Sequence, residues 1–204
     1  MEPLRAVLER DVLEASQRLL GCFLVRGPLR ARIVETEGYR AEDDPACHAY
    51  RKATMRNAVM FGPPGHAYVY LNYGMHWMLN VSAHPEGRAA AVLIRAAEPL
   101  EGLDLMREGR GVEDVKNLLS GPGKLCRAFG IDRSLNDIDL FDPASELRIE
   151  PAPQAQRILT GPRIGLAIGK AHDFPWRYAD ADRIEWVSKP VRSLEKPTSN
   201  DLTS

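Results

Sequence analysis

Two carboxylates lie close together in the segment Glu35-Thr36-Glu37-Gly38-Tyr39, at the end of a strand-like run. Residues two apart in a β-strand point to the same face, so Glu35 and Glu37 are expected to share one side of the chain. A glutamate in an apolar surrounding can act as a general base toward water. A glutamate at a strand end is more commonly solvated, so the pair by itself is compatible with a catalytic or a surface role.

Aromatic and apolar side chains are concentrated in residues 66–75. Tyr68 and Tyr70 are expected to point to one face of a strand and to form an aromatic platform, although such tyrosines commonly pack in a core. Tyr73 and Met75 flank Gly74 at the predicted tip of a hairpin, where burial is least expected. An aromatic and a flexible apolar side chain at an exposed tip could insert between stacked bases.

Motifs for metals and nucleotide cofactors are absent from the sequence. Cys47, His48, His66 and His76 form no HxxxH or CxxC spacing, so we expect no metal site. The glycines before Lys124 lack the strand context and the spacing of a phosphate-binding loop. We therefore expect the protein to work without a cofactor.

The elements that would position these residues alternate between strand-like and helix-like segments. Helices are predicted over residues 11–20, 98–109 and 122–129. Strands are predicted over residues 22–25, 29–36, 66–73, 76–83, 89–96 and 164–168, with a long irregular loop over residues 40–64. This pattern is typical of an α+β domain in which helices pack on a mainly antiparallel sheet.

The length of 204 residues and the hydrophobic content of 44% suit one well-packed domain rather than two. We predict a domain over residues 1–188 and a flexible C-terminal tail over residues 189–204, where prolines, serines and mixed charges replace apolar residues. The longest apolar runs are far shorter than the about 20 residues that span a bilayer. The short apolar runs predict a soluble protein. Three cysteines without a CxxC pair favour buried free thiols, which are typical of the reducing cytoplasm, so we expect a cytoplasmic protein.

Charge is unevenly distributed along a chain whose net charge is −1. Residues 49–85 contain no Asp or Glu but include Arg51, Lys52 and Arg56. Residues 135–150 contain five acids and one base, Arg148. A near-neutral net charge argues against strong nonspecific binding to nucleic acid. This separation of acidic from basic residues along the chain could give the protein one basic face, and it is equally compatible with a solvated loop.

Four segments resemble the alkyladenine (3-methyladenine) DNA glycosylase family in their order and spacing. They are residues 32–39 (RIVETEGY), 66–82 (HAYVYLNYGMHWMLNVS), 93–102 (LIRAAEPLEG) and 121–126 (GPGKLC). The resemblance extends from about Leu13 to about Tyr178. It implies a curved antiparallel sheet with a protruding hairpin, similar to the C-terminal domain of formyltransferases.

The resemblance also implies roles for individual residues. Glu37 matches the general base that activates water, and Arg95 matches an arginine near that water and the phosphate. The damaged-base pocket is expected to contain Tyr39, His48, Tyr70 and Asn80, of which Asn80 screens the purine substituents. Tyr73 and Met75 are expected to intercalate in DNA. The expected contacts to the DNA backbone, which match the family less closely, are Arg51, Lys52, Arg56 and Lys124.

The implied activity is that of a monofunctional DNA glycosylase, which flips alkylated or deaminated purines out of double-stranded DNA and leaves an abasic site. It is expected to act as a monomer and away from membranes. One alternative is a non-catalytic nucleic-acid-binding module on the same fold, which would not require Glu37. The other is a metal-dependent hydrolase using His48 and the carboxylates, which excess chelator would inactivate.

Overall fold

Eight strands and four α-helices occur in residues 2–191 and 193–195, which the structure, a computed structural model, describes. The helices are α1 (Leu4–Arg10), α2 (Val12–Arg18), α3 (Leu103–Arg110) and α4 (Pro122–Ala128). The strands are β1 (Phe23–Arg26), β2 (Leu29–Arg40), β3 (Ala67–Asn72), β4 (His76–Ala83), β5 (Ala90–Glu101), β6 (Leu147–Glu150), β7 (Ile158–Gly161) and β8 (Arg177–Asp180). The chain is therefore a single α+β domain with few helices, as the sequence predicts.

The strands form one curled antiparallel sheet in the order β3-β4-β5-β2-β1-β6, with β8 beside β2 and β7 beside β8. The two longest strands, β2 and β5, pair from Arg30 opposite Glu101 to Arg40 opposite Ala90. Their register shifts on both sides of Glu35. Such a β-bulge bends a strand and increases its twist, so the sheet changes direction at the two glutamates.

Strand β5 is buried on both faces because a different layer covers each one. Ala90, Val92 and Ile94 belong to the main core, together with apolar residues of the helices. The alternate residues Leu93 and Arg95 line a cavity on the opposite face. The sheet thus separates a helix-covered core, which stabilises the fold, from a face that is available for a functional site.

The long loop between β2 and β3 covers part of that second face. It contains a short 3-10 helix, Ala58–Phe61, and a small core of its own. Met60, Cys47 and Tyr68 are buried in this small core. The loop is thus packed against the sheet, where it can form one wall of the cavity.

Two predicted hairpins, β1–β2 and β3–β4, are confirmed, and β4 pairs with β5 as expected for a meander. The helix predicted over residues 11–20 corresponds to α2, but a second helix, α1, precedes it. Asp11 lies between the two in an extended conformation, and its side chain accepts the backbone N–H groups of Leu13 and Glu14. This N-cap begins α2 at the point where α1 ends.

Three predicted element bounds are wrong. β2 continues to Arg40, so Glu37 lies within a strand rather than at its end. β5 continues to Glu101, so the predicted helix over residues 98–109 begins only at Leu103, after the left-handed Gly102. Residues 164–168 form no strand, because Gly165 and Gly169 have positive φ angles that interrupt extended backbone. The returning strand is instead β8.

The predicted tail over residues 189–204 lies partly outside the described residues, which exclude 192 and 196–204. Thr160 of β7 exchanges backbone hydrogen bonds with Glu195, so the described part of this segment contacts the sheet. The boundary at residue 188 and the flexibility of the remaining residues stay predictions. The likeness to the formyltransferase domain also stays a prediction. In the described part of the chain, no helix is long and apolar enough to cross a membrane.

Candidate active site

A cavity of about 240 Å³ opens between the long loop, the β3–β4 hairpin and the segment that follows β7. Its floor is formed by Leu93 and Arg95 of β5 and by Met78 and Asn80 of β4. The predicted site residues that line it are Tyr39, His48, Tyr70, Tyr73, Asn80 and Arg95. Residues separated by more than 50 positions in the sequence are thus brought together around one space.

One wall of the cavity is aromatic. The rings of His48 and Tyr70 meet edge to face, with centroids 4.6 Å apart, and Tyr70 lies 5.3 Å from Tyr68. The Nδ1 atom of His48 is 3.0 Å from the hydroxyl oxygen of Tyr68. Burial, and then the nearby Arg56 guanidinium, lower the pKa of His48, which favours a neutral imidazole at neutral pH. Burial raises the pKa of Tyr70 to about 12, so this wall carries no negative charge.

Tyr39 forms another wall and connects the cavity to Glu37. Its hydroxyl donates a hydrogen bond of 2.7 Å to Oε2 of Glu37. Burial and the negative charge of Glu37 raise the pKa of Tyr39 well above its usual value, so the hydroxyl keeps its proton. The guanidinium of Arg163 lies 4.4 Å from the ring centroid and supports the ring by a cation-π contact.

Glu37 itself is fully buried, in the middle of β2. Besides the Tyr39 hydroxyl, its carboxylate accepts the backbone N–H of Ile164 at 2.8 Å, on Oε1. The same oxygen lies 3.2 Å from Nη1 of Arg95. A buried carboxylate with three donors is held in one orientation, and all three donor residues, Tyr39, Arg95 and Ile164, line the cavity.

The second glutamate, Glu35, is also fully buried but lies behind Arg95 as seen from the cavity. Arg177 donates to its Oε1 at 2.6 Å, and Nε of Arg95 lies 3.4 Å from the same oxygen. Neither Glu35 nor Glu37 lines the cavity directly. The two carboxylates, predicted to share a face, thus contact one arginine from two sides.

A buried ion pair fixes the loops on both sides of Tyr39. Asp44 of the long loop accepts hydrogen bonds of 2.5 and 2.7 Å from Arg163, and both side chains are fully buried. Arg163 also donates to the backbone carbonyl of Gly38 at 2.9 Å. Ile164, whose N–H binds Glu37, is the next residue. The ion pair therefore positions that donor as well as the loop.

Asn80 lies on β4 at the floor of the cavity and is nearly buried. Its Nδ2 donates to the backbone carbonyl of Tyr68 at 3.0 Å across the β3–β4 pair. This bond fixes the direction of the amide. Among the described residues, no hydrogen bond reaches the Oδ1 atom of Asn80, which leaves an acceptor for a molecule in the cavity.

The tip of the β3–β4 hairpin projects from the sheet. Tyr73 is 84% exposed and Met75 is 71% exposed, which is unusual for large apolar side chains. Gly74 between them has a φ of 70°, and Tyr73 itself has a φ of 48°. Tyr73 also lines the rim of the cavity, so the tip stands directly beside the site.

Comparison with known proteins shows the family to which this chain belongs. Residues 6–184 match the model of the methylpurine-DNA glycosylase family. The chain belongs to this family. Three relatives share the name "Putative 3-methyladenine DNA glycosylase". The relative from Nitrosospira multiformis is 46% identical over 182 residues, which cover 88% of this chain and 90% of that protein.

The other two relatives are equally similar. The protein from Chlorobaculum parvum is 48% identical over 83% of this chain and 82% of its own length. The protein from Carboxydothermus hydrogenoformans is 48% identical over 85% of this chain and 92% of its own length. The resemblance noted in the sequence is confirmed, and the chain is a 3-methyladenine-type DNA glycosylase, a DNA-repair hydrolase of N-glycosyl bonds.

The basic residues expected to contact DNA have different surroundings in this glycosylase. Arg51 and Lys52 are exposed in the long loop. Arg56 donates from Nη2 to the backbone carbonyl of Leu71 at 3.1 Å, and its guanidinium lies 5.2 Å from the Tyr70 ring centroid. Lys124 of α4 binds Ser120 and Asn117 through its ammonium group. Their roles in DNA binding stay predictions.

Several residues of the glycosylase site were not found from the sequence. Asp44, Arg163 and Arg177 form buried ion pairs around the two glutamates, and Ser188 donates hydrogen bonds to Glu35. Each partner lies more than 110 positions away in the chain, so no local spacing could reveal the pairs. Within the described residues, no group of three or more His, Cys, Asp or Glu side chains could hold a metal ion.

Proposed function

We propose that this DNA glycosylase flips a damaged purine out of duplex DNA, holds it in the cavity beside Tyr39, and hydrolyses its glycosidic bond with Glu37 as the general base. The observation that carries this proposal is the buried Glu37 carboxylate, whose three donor residues, Tyr39, Arg95 and Ile164, all line an aromatic cavity. A non-catalytic binding module would have no use for a buried, fully oriented carboxylate at that position.

The cavity walls suit a flipped, electron-poor purine. Extrusion of a nucleotide costs a few kcal/mol, and least for a damaged, weakly paired base. Tyr39 on one side and the His48–Tyr70 wall on the other provide aromatic surfaces for the base. Alkylation gives a purine a positive charge, and a cation gains from an aromatic face in a desolvated site. These surfaces favour alkylated over normal purines.

In the chemical step, the oxygen of a water molecule attacks the anomeric carbon as the bond to the purine nitrogen breaks. The base leaves with the electron pair of that bond, and the water proton passes to the Glu37 carboxylate. The negative charge of Glu37 also stabilises the oxocarbenium character of the sugar. Among the described residues that line the cavity there is no lysine, so the site has no amine nucleophile for strand cleavage. The products are a free base and an abasic site.

The proposal is tested with single-lesion duplexes that contain 3-methyladenine, 7-methylguanine, hypoxanthine or ethenoadenine. Strand scission after alkali, and none before, identifies monofunctional base release. Glu37→Gln should bind a lesion duplex but release base about 100 to 10,000 times more slowly, because an amide cannot accept the water proton.

Glu98→Gln is the matched control, since Glu98 lies on β5 and pairs with Arg32 and Arg183 on a surface outside the cavity. It should release base at the wild-type rate. Wild-type release by Glu37→Gln would remove Glu37 from the mechanism.

A further inference from the structure

Glu35 is a buried carboxylate that the proposed reaction does not use. Its Oε1 accepts from Nε of Arg177 at 2.6 Å and from the Ser188 hydroxyl at 2.9 Å, and its Oε2 accepts the Ser188 N–H at 2.8 Å. Removing one partner of a buried ion with this many donors strongly destabilises the fold, because the remaining charged and polar groups are left unpaired. Such an assembly next to a reactive carboxylate requires an explanation.

Arg95 links this assembly to Glu37. Its Nη1 lies 3.2 Å from Glu37, its Nε lies 3.4 Å from Glu35, and its Nη2 donates to the Ser188 hydroxyl at 3.3 Å. These are the polar contacts of the guanidinium among the described residues, and the Nε–H makes no well-aligned hydrogen bond. On the side away from Glu37, Arg95 is therefore held by Glu35 and Ser188.

Arg177, which binds Glu35, also binds the last residues that the structure describes. It is fully buried, and it donates to the carbonyls of Ser188 and Pro190 at 2.9 Å and to the Ser193 hydroxyl at 3.2 Å. A side chain at Gly161 would lie 2.0 Å from the Ser193 carbonyl oxygen, which shows how closely the segment lies on β7. We call residues 188–191 and 193–195 the C-terminal segment.

The charges of the assembly balance. Glu35 and Glu37 carry two negative charges, and Arg95 and Arg177 carry two positive charges within a buried volume. Because the positive charge of Arg177 pairs with Glu35 at short distance, the positive charge of Arg95 is available to pair with Glu37. A shift of Arg95 by 1 Å would alter the orientation of the Glu37 carboxylate, and misplacements of that size can cost about 100-fold in rate.

We propose, on the basis of the function proposed above, that Glu35, Arg177 and Ser188 are positioning residues that hold Arg95 against Glu37, so that the C-terminal segment is part of the active-site structure. This inference contrasts with the prediction of a flexible tail over residues 189–204.

Ser188→Ala tests the proposal, because it removes the hydroxyl that contacts both Glu35 and Arg95 but keeps the backbone N–H bond to Glu35. The single-turnover rate of base release should fall about tenfold. Affinity for a duplex with an uncleavable abasic analogue should stay within twofold of wild type, since no DNA contact is removed. Ser16→Ala is the matched control, because Ser16 is also buried and, among the residues that the structure describes, its hydroxyl donates only to the Val12 carbonyl.

Arg177→Lys provides a second test. Lysine keeps the positive charge beside Glu35, but its single ammonium group cannot bind Glu35 and the carbonyls of the C-terminal segment at the same time. The single-turnover rate of base release should therefore fall, whereas the affinity for DNA should be retained. Arg183→Lys is its control, since Arg183 is a half-buried arginine that pairs with Asp180 and Glu98.

Rates are compared at a temperature at which circular dichroism shows every variant folded. A wild-type rate in Ser188→Ala, or an equal loss in Ser16→Ala, would overturn the positioning role. Failure of the wild-type protein to release any of the four lesion bases would contradict the proposed function instead.

Discussion

Glu35 and Glu37 are two residues apart and contact the same guanidinium, but their other neighbours differ. The Tyr39 hydroxyl binds Glu37 and lines the cavity, whereas Ser188 and Arg177 enclose Glu35 on the far side. Tyr39 and Ile164, which bind Glu37, line the cavity, whereas Arg177 and Ser188, which bind Glu35, do not. In the proposed mechanism, local surroundings rather than residue type thus distinguish the catalytic Glu37 from the positioning Glu35.

Asn80 is the residue at which substrate choice can be tested. Its Nδ2 is bound to the Tyr68 carbonyl, so the amide is held in the cavity floor. The role that the family resemblance predicts for Asn80 is to exclude guanine by occupying the space of its 2-amino group. Normal guanine greatly outnumbers lesions, so exclusion by a clash is expected. Asn80→Ser should fold, keep release of adenine lesions and gain release of guanine bases.

The measurement for Asn80→Ser is base release from duplexes with one 3-methylguanine or one G·T mismatch, beside the wild type. Melting temperature and release of hypoxanthine serve as controls for folding and catalysis. If the variant excises hypoxanthine but gains no guanine activity, Asn80 does not control purine choice.

The sequence identified the cavity residues through motifs but not the groups that support them. Tyr39, Asn80 and Arg95 lie in continuous motif segments, so their order in the chain was sufficient to assign them. Arg163 and Arg177 lie in segments without recognisable motifs, and their partners are distant in sequence. Ion pairs of this kind depend on the tertiary fold, which a single sequence does not specify locally.

At the scale of elements, the β3–β4 hairpin combines exposure with an apolar tip. In the proposed mechanism Tyr73 fills the space left by a flipped nucleotide, so Tyr73→Ala should lower affinity for a lesion duplex about tenfold. The melting temperature should change little, since Tyr73 is 84% exposed and contributes little to the core. Leu105→Ala, on the exposed surface of α3, is a control that should alter neither quantity. A large loss of stability in Tyr73→Ala would identify a structural role instead.

The junction between β4 and the helices contains a pH-sensitive contact. Nε2 of His84 accepts the backbone N–H of Val12 at 3.2 Å, and burial lowers the pKa of this imidazole. Asp11 and Glu42 oppose that lowering, and Arg40 and Arg88 reinforce it. The unfolded chain binds a proton at about pH 6.5, but the folded protein binds it only at lower pH. The folded state therefore loses stability as the pH falls below about 6.5.

The melting temperature should consequently decrease between pH 7 and pH 5.5. His84→Gln should reduce this decrease, because glutamine can accept the same N–H and does not titrate. The pKa of buried His48 is also lowered, so His48 also makes the melting temperature decrease as the pH falls. The slope of melting temperature against pH should therefore not vanish in His84→Gln. Leu105→Ala, which alters an exposed side chain that does not titrate, should keep the wild-type slope. A slope unaffected by His84→Gln would contradict this assignment.

Element types were predicted better than element ends. Apolar and aromatic residues predicted β3, β4 and the first part of β5 as strands, because these strands pack on the core. The end of β5 was missed because Glu98 and Glu101 resemble the first turn of a helix. In the fold, Glu98 pairs with Arg32 on the neighbouring strand, so a cross-strand contact stabilises the extended conformation there.

At the scale of the whole molecule, a net charge of −1 has to be reconciled with a DNA substrate. Away from the cavity, many exposed or half-buried arginines form ion pairs with nearby acids, among them Arg10, Arg30, Arg88, Arg107 and Arg157. Within the described residues, no ion pair of 4.0 Å or less involves Arg51, Lys52 or Lys124. Paired charges cancel locally, so the unpaired cations can give the cavity side a positive potential on a neutral protein.

Salt dependence measures whether these unpaired cations contact phosphates. Each neutralised phosphate contributes about 0.9 to the slope of log affinity against log salt concentration on duplex DNA. The triple variant Arg51→Gln, Lys52→Gln, Lys124→Gln should therefore flatten the slope by up to about 2.7. The control triple variant Arg88→Gln, Arg107→Gln, Arg157→Gln removes the same number of positive charges, but each of its arginines is paired with an acid. If net charge alone governed binding, both variants would change the slope equally, whereas phosphate contacts at the cavity side predict a change only in the first. Titration of a lesion duplex by fluorescence anisotropy at several salt concentrations distinguishes the two results.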